Sequence, residues 1–273
     1  MRRATLVLAF AIAIAPRAAH ALDPFEIQVY DGTQNETGEL SLEGHANRVM
    51  TTRANGASPP RDAHFTLETA LGAGRHVELG HYLQTALLED GRFAYAGMKL
   101  RVLLTTHDVG PKELRLGLNF ELSRLPERFD PGLWGAEIRP IAAWDGAHFL
   151  AAVNPIVGLS FGDGGVRRGA SLEPAAAAYA KVAGVELGAE YYAELGTTAH
   201  LAAFGGQAHY AFLAGNAELT EGVELNVGAG AGLTETSSPL VLKAILGVSL
   251  GHLWGEKAAP HAARMRPPGT LRR

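Results

Sequence analysis

The chain has no cysteine, no apolar run long enough for a membrane helix, and few charges. Without cysteine there is no disulfide framework, no thiolate nucleophile and no cysteine metal site. A spanning helix needs about 20 apolar residues to cross roughly 30 Å of hydrocarbon, so a helical membrane protein is excluded. Charged residues make up 19% of the chain, against about 25% in an ordinary soluble domain. The net charge of −4 is small for this length and gives no sign of a nucleic-acid partner. What is abundant is glycine, at 33 residues, well above the usual share of about 7%. An exported chain without disulfides needs another source of rigidity, and a closed hydrogen-bonded sheet supplies one.

Export is read from the N-terminus. Arg2 and Arg3 form a positive region, Ala4 to Ala15 an apolar run, Pro16 breaks it, and Ala19-His20-Ala21 has the small-x-small pattern of a cleavage site. A run of about a dozen residues is too short for an anchor. The expectation is a signal peptide over 1–21, a barrel over 22–254 and a disordered basic tail over 255–273. The tail carries Arg264, Arg266, Arg272 and Arg273, three prolines and no apolar period.

The decisive signal is repeated alternation. Over 39–47, Glu39, Ser41, Glu43, His45 and Asn47 fall on one face of a strand, and Leu40, Leu42, Gly44 and Ala46 on the other. Met98, Leu100, Val102 and Leu104 oppose Lys99 and Arg101. Leu114 to Leu122 oppose Arg115, Asn119 and Glu121. Val185, Leu187 and Ala189 oppose Glu186 and Glu190. Such runs exceed the five to six residues of a mean globular strand and match the 9–11 of a tilted membrane strand.

About twelve strands are predicted, over 38–50, 63–72, 75–87, 93–105, 112–124, 133–144, 148–161, 171–182, 185–195, 205–214, 222–233 and 239–250. The sixth is weakened by Pro140 and the tenth by poor alternation. The fold class is therefore all-β, a transmembrane antiparallel up-and-down barrel. Connections after even strands are often tight, as at Asp145-Gly146 and Ala183-Gly184, and several after odd strands are longer, as from Thr51 to Asp62; Glu89-Asp90-Gly91 is short and Thr106 to Pro111 long against that trend. That asymmetry is expected of bacterial barrels. Two local ambiguities resolve as strand: Gly228 to Gly232 is not followed by a helix as a phosphate loop requires, and Ala175 to Ala178 is flanked by Glu173, Tyr179 and Lys181 on one parity.

The stretches Phe25-Glu26-Ile27-Gln28-Val29-Tyr30-Asp31, Gly38-Glu39-Leu40-Ser41-Leu42-Glu43, Tyr95-Ala96-Gly97-Met98-Lys99-Leu100-Arg101, Val153-Asn154-Pro155 and Val223-Glu224-Leu225-Asn226-Val227-Gly228 carry a resemblance. The chain resembles a family of uncharacterised proteobacterial outer-membrane barrels, grouped with transporters and with the MetA-pathway phenol-degradation proteins. The resemblance implies a barrel and, loosely, transport; it supplies no catalytic motif. Such barrels commonly end on an aromatic residue read by the barrel assembly machinery, whereas this chain continues past Leu253-Trp254.

If the apolar faces meet lipid, the charged faces line the lumen. The candidate lining residues are Glu68, Glu78, Lys99, Arg101, Arg115, Glu121, Glu137, Arg139, Lys181 and Glu190. A two-residue turn at Asp90-Gly91 pairs Tyr82 with Lys99, and a turn at Gly72-Ala73-Gly74 sets Glu68 opposite Glu78. Two such carboxylates repel unless a cation intervenes, and Lys99 and Arg101 are the natural partners. An ion-paired interior is favoured over a wet, field-lined channel. His64, Glu68, His76 and Glu78 have metal-like donor types, but solvated histidines are the preferred reading. No metal, cofactor or catalytic residue is assigned. The expected partners are outer-membrane lipid, the assembly machinery and a small hydrophobic or polar solute, with no nucleic acid.

The leading function is passage of a small solute across the outer membrane. A closed structural or binding barrel is the alternative. A barrel-embedded lipid hydrolase ranks lower, because Ser123, Ser160 and Ser171 have no histidine placed beside them. A soluble barrel or periplasmic sandwich would turn the apolar parity inward, and periodicity alone does not orient the faces.

Overall fold

A computed structural model describes residues 22–54, 59–106, 109–130, 132–161 and 169–254. The predicted leader and basic tail lie outside the described residues. Twelve antiparallel strands form one sheet: β1 (Glu39–Thr51), β2 (Ala63–Gly74), β3 (Val77–Leu87), β4 (Phe93–Thr106), β5 (Leu114–Arg124), β6 (Trp134–Asp145), β7 in two pieces (Phe149–Asn154 and Val157–Ser160), β8 in two pieces (Ser171–Leu172 and Ala175–Val182), β9 (Val185–Glu194), β10 (Ala208–Thr220), β11 (Val223–Gly232) and β12 (Leu240–His252). Each pairs with the next, and β1 pairs with β12 from Glu39↔His252 to Thr51↔Leu240. The sheet therefore closes on itself and leaves no long open edge, as a membrane-spanning sheet requires. Beyond Glu194, a small hairpin (Gly196–Thr197 with His200–Leu201) and a 3-10 turn (Phe204–Gly206) lead into β10.

Side-chain orientation resolves what periodicity left open. Leu100 is 55% exposed and Leu213 77%, whereas Lys99 is 5% and Arg101 6% exposed. Apolar parity faces outward and charged parity inward. The soluble reading, with apolar residues turned in, is corrected by this arrangement.

Prolines shape one part of the wall. Pro140 does not interrupt β6, which runs unbroken with Pro140 opposite Leu118 of β5. The break falls instead in the neighbouring strands. β6 bonds β7 from Ala142↔Val153 to Asp145↔Leu150 and again from Gly135↔Ser160 to Ile138↔Val157, in one register. Extending that register places Pro140 opposite Pro155. The β7–β8 register, with Ala175↔Asn154 and Val157↔Leu172, places Pro155 opposite Pro174. Three residues without an N–H share one rung, so the ladder cannot be bonded there.

Two hairpin registers differ from expectation in instructive ways. Tyr82 does pair with Lys99, but the loop before β4 is one residue off the assumed turn, and a bulge at Ala96-Gly97 restores the pairing. Glu68 is not opposite Glu78: it pairs with Tyr82, and Glu78 pairs with Gly72. β2 extends through Gly74 and the turn centres on Arg75-His76, which moves the rungs. The tenth strand starts at Ala208 rather than 205 and continues to Thr220. Ala175–Val182 is strand as expected, and so is Val223–Gly232. In that run a Cβ at Gly230 would collide with the Phe212 ring, so the small residue makes room for an aromatic inside the barrel.

Candidate functional site: a plugged lumen

The segment from Leu22 to Thr37, before β1, lies inside the barrel. Phe25 is 2% exposed and Ile27 1%, although neither belongs to a strand. Its upper end packs Phe25 against Ala86, Leu88 and Ala96, with Phe129 from the β5–β6 loop edge-on at 5.5 Å. Ile27 joins Tyr192, Tyr210, Phe212 and Val241 from the opposite wall. Its lower end reaches the rim of short turns, where the Asn35 side chain donates to Ser41 Oγ at 2.7 Å and to the Ala70 carbonyl at 3.0 Å. A Cβ on Gly72 would collide with the Glu36 carbonyl; only glycine lets the segment pass so close to the wall.

Most of the predicted lumen residues converge on this segment. Lys99 Nζ contacts Asp23 and lies 3.2 Å from Glu26 and 3.1 Å from Glu121. Arg139 bonds Glu137 through Nε at 2.7 Å, lies 3.5 Å from Glu26, and stacks over the Tyr30 ring at 4.3 Å from its centre. Tyr30 donates its hydroxyl proton to Glu26 Oε1 at 2.7 Å, and the Tyr30 hydroxyl oxygen lies 2.8 Å from that of Tyr82. Arg101 Nη2 is 2.6 Å from both Glu68 and Glu78. The intervening cation that a pair of carboxylates needs is thus Arg101 alone, while Lys99 serves the plug. Glu78 also accepts the Asn35 N–H at 2.5 Å.

Two further clusters hold the other side. Arg115 reaches Asp31 of the plug at 2.8 Å and also contacts Asp145, which Lys181 shares. Lys243 binds Glu190 at 2.6 Å and donates to the Ile27 carbonyl at 3.1 Å. Tyr192 donates to Glu190 at 2.9 Å, and Tyr179 contacts the same carboxylate. Burial alone would raise the Glu26 carboxyl; Lys99 and Arg139 outweigh it and hold the group below its ordinary value. Burial lifts the Tyr30 phenol well above its ordinary value, so it remains a donor.

The four residues with metal-like donors do not meet. His64 is edge-on to Phe25 at 4.7 Å, His76 Nδ1 lies 2.9 Å from the Thr105 carbonyl oxygen, and Glu68 and Glu78 turn to Arg101. Sequence reasoning missed the plug itself, with Asp23, Glu26, Tyr30 and Asn35, and the wall residues Asn154 and Asp145. The available signal was that Phe25 to Tyr30 alternates without a partner strand or turn of its own.

The plug divides the lumen. A cavity of about 820 Å³ on the long-loop side is lined by Leu22, Phe25, Val49, Lys99, Ser123, Ser160, Ser171, Glu173 and Glu194. A smaller one of about 180 Å³ on the short-turn side is lined by Tyr30, Asp31, Glu43, Glu68, Glu78, Glu186, Glu224 and Arg101. No residue lines both.

No protein-family model matches the chain and no curated protein matches its sequence. Among solved structures, it is similar to an outer membrane channel from Pseudomonas putida F1, at 12% identity and a TM-score of 0.58, over 82% of this chain and 100% of that one. It also matches outer membrane phospholipase A from Escherichia coli at 14% identity and a TM-score of 0.41, over 85% and 94% of the two chains. The translocator domain of the autotransporter NalP from Neisseria meningitidis matches at 11% identity and a TM-score of 0.42, over 79% and 88%. The first of these supports the barrel fold; the other two are too distant to argue from.

Proposed function

We propose that the chain is an outer-membrane channel for a small solute, closed at rest by its own N-terminal segment. The observation that carries this reading is the chemistry of the closure. Beside the packing of Phe25 and Ile27, the plug is held in the lumen by ion pairs and hydrogen bonds to Lys99, Arg139, Arg115, Lys243 and Asn154. Polar contacts of this kind exchange with water far more readily than a close-packed apolar core does. A vestibule on one side and a cavity on the other fit a path that the plug interrupts. In this reading Glu68, Glu78, Lys99, Arg101, Arg115, Glu121, Glu137, Arg139, Lys181 and Glu190 form the gate and the charged wall around it.

The same proposal places the barrel in the outer membrane after removal of residues 1–21, surrounded by lipid and inserted by the assembly machinery. The likeness of its fold to the outer membrane channel from Pseudomonas putida F1 supports it, as does the outward apolar band. No catalytic role is proposed for the vestibule serines, Ser123, Ser160 and Ser171.

Solute efflux from proteoliposomes tests the reading. The intact protein should release small sugars slowly, and a variant lacking residues 22–36 should release them quickly. Barrels of both kinds that retain the solute would favour the closed structural barrel and overturn the channel.

A further inference from the structure

Three donors on the inner face of β1 and β2 lie to one side of the plug's main ion-pair network. Glu43 and His45 are two residues apart on β1 and so point to the same side. Glu68 of β2 is the register partner of Glu43. One ligand atom from each of the three can be drawn within 4.8 Å of the others.

His45 is the anomaly. It is 2% exposed, and neither ring nitrogen has a hydrogen-bond partner among the described residues. Its Nε2 stands 3.6 Å from Glu68 Oε2 and 3.7 Å from Glu43 Oε2. Those separations exceed a hydrogen bond. They stand at and just beyond the spacing of ligands that share one ion: metal–ligand bonds of about 2.0–2.2 Å in a tetrahedron put neighbouring donors roughly 3.3–3.6 Å apart.

The surroundings suit a cation. Glu68 offers one oxygen to His45 while its other is held by Arg101 at 2.6 Å, which fixes the carboxylate as an outer-sphere partner does. Glu43 borders the cavity of about 180 Å³, which leaves room for a water as fourth ligand. Glu78, Glu186 and Glu224 also line this cavity, and among the described residues Arg101 is the one cation in its lining.

We infer that Glu43, His45 and Glu68 form a binding site for a single divalent transition ion, with Zn²⁺ the best match to two carboxylates, one imidazole and an open position. The site lies on the barrel wall and does not depend on whether the lumen conducts.

The test uses the untagged full-length protein, refolded in detergent, stripped with chelator and titrated calorimetrically with Zn²⁺. One ion should bind per chain, and Co²⁺ in its place should give the visible absorption of a low-symmetry N/O site. Glu43→Gln and His45→Gln should each weaken binding by at least about tenfold. His81→Gln, an exposed position on the outer face, should leave it unchanged. Heat-modifiable migration on gels verifies that each variant is a folded barrel; if His45→Gln does not fold, Glu43→Gln and the Co²⁺ spectrum decide. Wild-type protein that takes up no stoichiometric ion would overturn the site, leaving His45 as a protonated bridge between two carboxylates. Uptake unaffected by Glu43→Gln would overturn it equally.

Discussion

The side-chain amide of Asn154 pairs with both polar groups of the Tyr30 backbone: its oxygen accepts the Tyr30 N–H at 2.7 Å and its nitrogen donates to the Tyr30 carbonyl at 2.9 Å. Asn154 ends the first piece of β7, immediately before Pro155 breaks the ladder. A wall side chain thus gives the plug the hydrogen bonds that a neighbouring strand would otherwise supply.

Asn154→Ala leaves that N–H and carbonyl without their partner, at a cost of about 1–3 kcal/mol for each buried group. Amide hydrogen exchange at Tyr30 should accelerate at least about tenfold, by the usual conversion of about 1.4 kcal/mol per decade, while amides in β3 and β4 remain protected. Unchanged exchange at Tyr30 would show that Asn154 does not hold the plug.

Lys99→Met removes the cation shared by Asp23, Glu26 and Glu121. Stranding buried carboxylates costs about 3–5 kcal/mol. The heat-modifiability midpoint should fall, and Lys99→Met with Glu121→Gln should recover part of the loss because the two residues are coupled. Strict additivity of the two changes would argue against a shared ion-pair network.

Gly72→Ala places a methyl group where the Glu36 carbonyl now sits. β2 tolerates alanine as strand, so the barrel should still form. The lower end of the plug should move, which a spin label at Thr33 would report as increased mobility. An unchanged spectrum would mean that the close approach at Gly72 does not position the segment.

Acid should loosen the plug through Glu26. Its carboxyl is held below the ordinary 4.5, against burial, by Lys99 and Arg139. A depressed carboxyl contributes stability that is present above its unfolded value and lost as pH falls through the folded one. Protection factors of plug amides, referred to the intrinsic exchange rate at each pH, should therefore fall below about pH 4.5, and Glu26→Gln should remove the Glu26 part of that fall. Plug release on raising the pH from neutrality instead would contradict the assignment.

Much of the barrel was legible because its pattern is strictly local. Alternation such as Met98-Lys99-Leu100-Arg101 fixes which side chains share a face, whatever the rest of the chain does. Registers were less legible: Tyr82 meets Lys99 only because a bulge at Ala96-Gly97 offsets the loop before β4, while Glu68 misses Glu78 because β2 runs on to Gly74. Pro140 misled for a related reason, since a proline's missing donor matters at the neighbouring strand, where Pro155 and Pro174 stand in the same rung. The plug was the least legible. Phe25, Glu26, Ile27 and Tyr30 are all buried irrespective of parity, because a segment inside a barrel is surrounded on every side, so its alternation does not sort an inner face from an outer one.

The most direct measurement is single-channel conductance in planar bilayers, comparing the intact protein with a variant lacking residues 22–36. A polar plug in an otherwise passable lumen predicts rare, brief openings for the intact chain and discrete, sustained conductance steps for the variant. A folded, membrane-inserted variant that passes no current over a wide voltage range would contradict the account.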